Sequence, residues 1–224
     1  MKFVRSLFRS NFQFKGLPIA GIIILLVLQG CAGGQQKKNS IQAVYVIGGG
    51  GFTQLPYKNK AEDDNIFVGK SDDGVATGHF LAGLTFHENA MVELGYSAFG
   101  TMNFDGKYTW MGVPTDDIGE IKTKGFTASV VGNMPFKTRY SLLGRLGLFR
   151  WSVDEDEIFG GIPESHSVSG TSPILGAGVQ TAIIKQLGLR IEWQHLFNVG
   201  EQDETGEGDI DIFAANVYYT FPLQ

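Results

Sequence analysis

The sequence predicts an all-β fold: an eight-stranded antiparallel up-and-down transmembrane β-barrel with short periplasmic turns and long extracellular loops. Three observations predict it. Segments of about ten residues alternate apolar and polar side chains with a period of two. The connections between these segments alternate between short and long along the chain. A basic and then apolar leader precedes them, as in a chain destined for export.

The leader comes first. Lys2, Arg5, Arg9 and Lys15 precede an uncharged apolar run from Gly16 to Leu28 in a chain of 224 residues. That run falls short of the ~20 residues a spanning helix needs. Gly30, Cys31, Ala32, Gly33 and Gly34 follow at once, so residues 1–30 read as a signal peptide. Cys31 is the only cysteine, which excludes an internal disulfide. Leu28-Gln29-Gly30-Cys31 resembles the lipobox of bacterial lipoproteins, which implies cleavage before Cys31 and acylation of its thiol. Gln29 departs from the small or β-branched residue usual in a lipobox, and ordinary cleavage after Ala32 is the other reading. Residues 31–40, Cys31 with AGGQQKKNS, form a polar, flexible tether, and residues 41–224 form the barrel. The leader holds four of the chain's 18 basic residues and none of its 23 acidic ones, leaving 14 against 23. So acidic a body disfavours nucleic acid as a partner, because phosphate binding needs a basic face.

The expected strands are 41–52, 76–86, 90–102, 122–133, 139–152, 172–184, 187–198 and 210–221. His87-Glu88-Asn89, Met134 to Thr138, and Lys185-Gln186 are short turns; 53–75, 103–121, 153–171 and 199–209 are long connections. In the second strand Phe80, Ala82, Leu84 and Phe86 share one face, opposite Thr77, His79, Gly83 and Thr85. In the seventh, Leu189, Ile191 and Trp193 oppose Arg190, Glu192 and Gln194. In the last, Phe213, Ala215, Val217, Tyr219 and Phe221 oppose Ala214, Asn216, Tyr218 and Thr220. Hydrocarbon leaves no partner for a backbone N–H or C=O outside the protein, so a sheet there must close. Closure puts the apolar face on lipid and the polar face in the lumen. Arg190 or Glu192 turned to lipid would cost about 2–4 kcal/mol at the midplane. An eight-stranded interior is just wide enough for side chains, which accounts for inward Gly83, Gly147, Gly176 and Gly178 and suits the Gly48–Gly51 run. Phe52, Phe86, Phe136, Tyr140, Trp151, Phe197, Tyr219 and Phe221 lie near strand ends, where two aromatic girdles would meet the membrane interfaces.

These segments, in this order, resemble the transmembrane domain of OmpA-type outer-membrane proteins. The likeness runs through Phe86 to Tyr96 with its Glu-x-Gly-Tyr, Tyr140 to Trp151, Ser172 to Gln180, Leu189 to Gln194, and Asn216 to Phe221. The resemblance implies residence in the outer membrane and a lumen plugged by charged pairs. Glu93, Arg145 and Arg190 match the family's inward charges, and with Glu192 they make a balanced lumen network of four. Val131 stands where the family has a lysine and Gln180 where it has a glutamate, so the family's switchable network is only partly present. The family's closing strand is recognised by the outer-membrane insertion machinery, which makes Tyr219 and Phe221 the expected insertion signal. Many members carry a peptidoglycan-binding domain after the barrel; none is expected here.

No catalytic residues are assigned. His166 with Ser165, Ser167 and Ser169 is the one suggestive cluster, in the connection expected over 153–171, and catalysis there is disfavoured. His79 is expected to face the lumen and His195 the rim. Four scattered histidines and one thiol show no metal-ligand spacing, so neither a metal nor a cofactor is expected. The long connections are acidic: Glu62-Asp63-Asp64, Asp72-Asp73, Asp116-Asp117, Asp154-Glu155-Asp156-Glu157, and Glu201 through Asp211. They read as solvated loops, with weak divalent cations bridging to lipopolysaccharide as the functional alternative. Lys58, Lys60, Lys70 and Lys107 are placed to meet phosphates directly. The expected partners are therefore outer-membrane lipids, lipopolysaccharide and the insertion machinery, with the chain monomeric. Two functions stand: a structural or surface-interaction barrel, favoured because Leu81 and Leu143 also point inward, and a narrow solute pore. A lipid A-modifying barrel enzyme is a third and weaker reading. A soluble lipocalin-type barrel would need the opposite facing of Arg190 and Glu192.

Overall fold

A computed structural model describes residues 41–54, 67–71, 74–110, 113–137, 139–201 and 206–223, with the backbone alone at 67–71, 108, 110, 206 and 222. The leader, Cys31, the tether as far as residue 40, and the acidic groups at 62–64 and 72–73 lie outside the described residues.

The described chain forms β1 (Ala43–Gln54), β2 (Phe67–Ser71), β3 (Gly74–His87), β4 (Ala90–Phe99), β5 (Met102–Trp110), β6 (Val113–Lys137), β7 (Tyr140–Phe159), β8 (Ile162–Ala182), β9 (Leu187–Glu201) and β10 (Gly206–Pro222). Eight of these pair antiparallel in a ring: β1, β3, β4, β6, β7, β8, β9 and β10. β10 closes it on β1 from Gln54↔Asp211 to Ala43↔Pro222. All eight expected strands are present.

β2 and β5 continue two of the ring strands rather than adding to it. β4 ends its pairing with β6 at Ala98↔Lys124, and β5 resumes it at Met102↔Ile121. The extra residue on the β4–β5 side makes a bulge, held by the Gly100 N–H donating to the Ala76 carbonyl at 2.7 Å. β2 pairs with β5 in turn, from Ser71↔Phe104 to Phe67↔Tyr108.

The connections expected over 103–121 and 153–171 are thus mostly strand, not loop. β7 and β8 pair without a break out to Phe159↔Ile162. Gly160 and Gly161, with φ of 58° and 83°, make the two-residue turn between them. A turn with positive φ at both central residues matches strand twist, and glycine adopts it without a Cβ penalty. After Ser152 the hydrophobic alternation loses its contrast because both faces carry polar residues. On β7 Asp154 and Asp156 point out while Glu155 and Glu157 point in.

The outer face carries a band without a single charge. It includes Phe126, Ala128, Val130, Met134 and Phe136 on β6, and Tyr140, Leu142, Leu146 and Leu148 on β7. Lys124 and Arg150 bound it at one end, Lys137 and Arg139 at the other. Eleven residues of tilted strand suffice to cross a bilayer. Phe136 and Tyr140 pack 6.1 Å apart, and Tyr219 and Phe221 4.7 Å apart, at the short-turn edge. Phe52 pairs with Phe213 at the opposite edge. Trp151 was expected in a girdle but lies inside, donating from Nε1 to Ser172 Oγ at 2.8 Å. Its odd parity on β7, shared with Arg145 and Phe149, puts it on the inner face.

Inside, several aromatic rings lie over glycines of the neighbouring strand. Tyr45 faces Gly83, Tyr218 faces Gly188, and Trp151 faces Gly170. A Cβ built at any of the three glycines would overlap the facing ring. Gly83→Ala is expected to displace Tyr45 and lower folding stability by about 1–3 kcal/mol, the usual cost of overpacking. Urea titration of the protein in lipid vesicles checks it. Gly144→Ala is the control, since a Cβ there meets nothing within 4 Å.

Candidate functional site

Two apolar clusters lie on the inner face of the ring. One gathers Tyr45, Ile47, Leu81, Met91, Val131 and Leu143. The other includes Phe99, Met102, Ile121, Phe149, Trp151, Ile174 and Leu196. Along β4 a charged residue, Glu93, falls between Met91 and Phe99; along β7, Arg145 falls between Leu143 and Phe149. The charged belt therefore lies between the two clusters.

The four charges expected in the lumen do meet. Glu93, Arg145, Arg190 and Glu192 are all buried. Arg145 bridges both carboxylates: Nη2 reaches Glu93 Oε2 at 2.5 Å and Glu192 Oε2 at 3.2 Å, and Nε donates to Glu192 Oε1. Its Nη1 donates to Ser129 Oγ at 2.6 Å. Arg190 Nη1 donates to Glu93 Oε1 at 2.7 Å, and the Tyr45 hydroxyl donates to the same oxygen at 2.6 Å. Two cations against two anions leave the belt neutral, and nearly every donor is used. Buried ions are tolerated only on those terms.

Sequence reading missed the outer members of this network. Gln180 accepts from Arg190 Nη2 at 3.1 Å and donates through Nε2 to Asn133 at 3.2 Å. Gln180 thus supplies a neutral acceptor where the resembling family has a glutamate. Val131 is fully buried in the first apolar cluster. His79 does face the lumen, within hydrogen-bond distance of Asn216 Oδ1 at 2.5 Å. His195 lies on the outer face of β9 beside Asp211, whose Oδ1 is 2.9 Å from His195 Nδ1 and accepts from Trp193 Nε1 at 2.9 Å.

The Ser/His cluster does not assemble. His166 points inward, while Ser165, Ser167 and Ser169 point outward from β8. Ser165 donates to Asp156 at 2.7 Å, Ser167 donates to Asp154 at 2.6 Å, and Ser169 accepts from Arg150 at 3.2 Å. No imidazole stands beside a hydroxyl there, so no Ser–His nucleophile forms in the cluster.

Beyond the uncharged band the inner face is acidic. Asp117 on β6, Glu155 and Glu157 on β7, and Glu164 on β8 share it with His166. Burial pushes the Glu155 carboxyl up to about 7, with Glu157 and Asp117 adding repulsion. Burial raises Asp117 and Glu157 as well. On the outer face Asp154 is lowered instead, because Ser167 and Lys124 bond to it. Lys107 and Asp116 approach to 3.6 Å in full exposure, a geometry worth little.

A family model described as OmpA-like transmembrane domain matches residues 39–224. Outer membrane protein A of Shigella flexneri is 29% identical over 147 residues, covering 60% of this chain and 41% of that protein. Outer membrane protein A of Salmonella typhi is 27% identical over 150 residues, covering 62% and 42%. The chain thus matches about two fifths of these relatives' length. Among solved structures, neisserial surface protein A superposes with a TM-score of 0.53 at 13% identity, covering 80% of this chain and 97% of that one. Ail, the attachment invasion locus protein of Yersinia pestis, superposes with a TM-score of 0.51 at 15% identity, covering 81% and 100%. At that identity the two structures speak for the fold alone.

Proposed function

Since the chain belongs to the family of OmpA-like transmembrane domains and resides in the Gram-negative outer membrane, we propose that it is a plugged barrel with a structural and surface-interaction role. The observation that carries this reading is the buried belt of Glu93, Arg145, Arg190 and Glu192 between two apolar clusters. A hydrated solute crossing the barrel would have to break the Arg145 and Arg190 pairs with Glu93. It would also have to pass Tyr45, Ile47 and Val131 on one side and Phe149 and Trp151 on the other. Separating a buried pair costs several kcal/mol, so conduction would be slow at best. Outside the membrane, β5 to β8 carry the fold outward as paired strand. That gives the barrel a stiff surface to present to lipopolysaccharide and to other cells.

The reading assigns no catalytic role, in keeping with the split of His166 from its neighbouring serines. Liposome swelling with small sugars tests it. The expected result is no swelling above protein-free vesicles. Robust swelling at low protein would favour the narrow pore instead.

A further inference from the structure

The acidic inner face above the membrane holds a largely buried glutamate with no bonding partner among the described residues. Glu155 is only 8% exposed, and it has no side-chain hydrogen bond or ion pair among the described residues. It shares the inner face with Glu157 on the same strand and with Asp117 on β6, which pairs with Phe159. Asp117 Oδ1 is also buried without a hydrogen-bond partner among them. A buried polar group without a partner is costly, so this face has acceptor oxygens left over for a ligand.

One more feature says what kind of cation. Glu157, Glu164 and His166 present one ligand atom each, all within 4.8 Å of one another. His166 Nε2 is 3.9 Å from Glu157 Oε1 and 3.6 Å from Glu164 Oε2. A tetrahedral ion with bonds of about 2.0–2.1 Å sets its ligand atoms roughly 3.4 Å apart, and the two imidazole-to-carboxylate separations lie within about half an ångström of that spacing. Carboxylate oxygens alone would suit Ca²⁺ or Mg²⁺, but an imidazole nitrogen favours a transition-type ion such as Zn²⁺. The three ligands come from β7 and β8, across the Glu157↔Glu164 and Glu155↔His166 pairs.

We propose that Glu157, Glu164 and His166 bind a zinc-type divalent cation at the extracellular end of the barrel, beside Glu155 and Asp117. Such an ion would clamp β7 to β8 beside their glycine turn and draw in β6 through Asp117. Among these residues only Glu164 is largely exposed, which leaves an entry path from outside.

The test is calorimetric titration of the full chain, folded in detergent micelles, with ZnCl₂ and separately with CaCl₂. The expected result is a zinc-binding event of about one equivalent that His166→Ala and Glu157→Gln each weaken at least tenfold, while His195→Ala leaves it unchanged. Heat-modifiable migration on gels verifies that each variant is folded. Equal zinc binding by wild type, His166→Ala and Glu157→Gln would overturn the site. So would the absence of any binding up to about 100 µM zinc, or calcium binding at the same concentrations with the same loss in His166→Ala.

Discussion

Replacing Glu93 with alanine is expected to destabilise the folded barrel by about 3–5 kcal/mol, the range for breaking a buried ion pair by removing one partner. The reason is the arithmetic of the belt. Glu93 takes Arg145 Nη2 on one oxygen and Arg190 Nη1 on the other, and it also accepts from Tyr45. Without it, two buried guanidiniums share Glu192 alone. Arg145 keeps its bonds to Glu192 and Ser129. Arg190 is left with Gln180 and a 4.0 Å approach to Glu192. A double variant follows from that asymmetry. Adding Arg190→Leu to Glu93→Ala removes the stranded cation and restores neutrality, so it should recover part of the loss. Urea unfolding in vesicles, followed by tryptophan fluorescence, measures both. If the double variant loses the sum of the two single losses, the residues are not coupled.

The second large effect lies in the closing strand. Deleting residues 216–224 is expected to abolish assembly, read as loss of heat-modifiable migration and of protease resistance. The deletion removes the β10 partners of β1 from Ala43 to Gly49 and of β9 from Leu187 to Arg190. Two strand edges would then lie open in hydrocarbon, where each unsatisfied backbone group costs several kcal/mol. It also removes Asn216, which meets His79 over Gly49 of β1. A second variant separates closure from recognition. Tyr219→Ser with Phe221→Ser keeps the ladder and removes only the outward rings. Slowed insertion of this variant would support their role as the insertion signal, and a normal rate would remove it.

Most of the ring could be read from the chain because lipid on one face and the barrel interior on the other enforce period two. Wherever Phe, Leu and Val alternate with Gly, Thr, Glu and Arg, the strand was visible. Outside the membrane the rule lapses. In Ser152 to Glu157 both faces carry polar residues, so the alternation lost its contrast although the strand continued. The clue there was Gly160-Gly161, a hairpin dipeptide. Met102 to Trp110 hid for another reason: Asp105 and Gly106 are poor strand formers, and pairing with β6 overrides their preference. The belt was legible residue by residue, since a charge on a strand's polar face has only the lumen to enter. Gln180 and Ser129 were not, because a neutral side chain gives no sign of which donor it will meet. The Glu157, Glu164 and His166 group had no spacing to betray it. Two strands and a turn bring it together.

The two-residue glycine turn also bears on how the barrel comes together in time. Residues Phe159 and Ile162 are joined across it almost at once along the chain, whereas Gln54 must find Asp211 roughly 160 residues away. Loop-closure entropy grows as (3/2)RT ln n, so the seam costs on the order of 4 kcal/mol more to bring together than the turn. Hairpins of the first kind zip in about 1–10 µs. The longest strands of this protein are therefore the most local, and the join between its first and last strands is the step that waits.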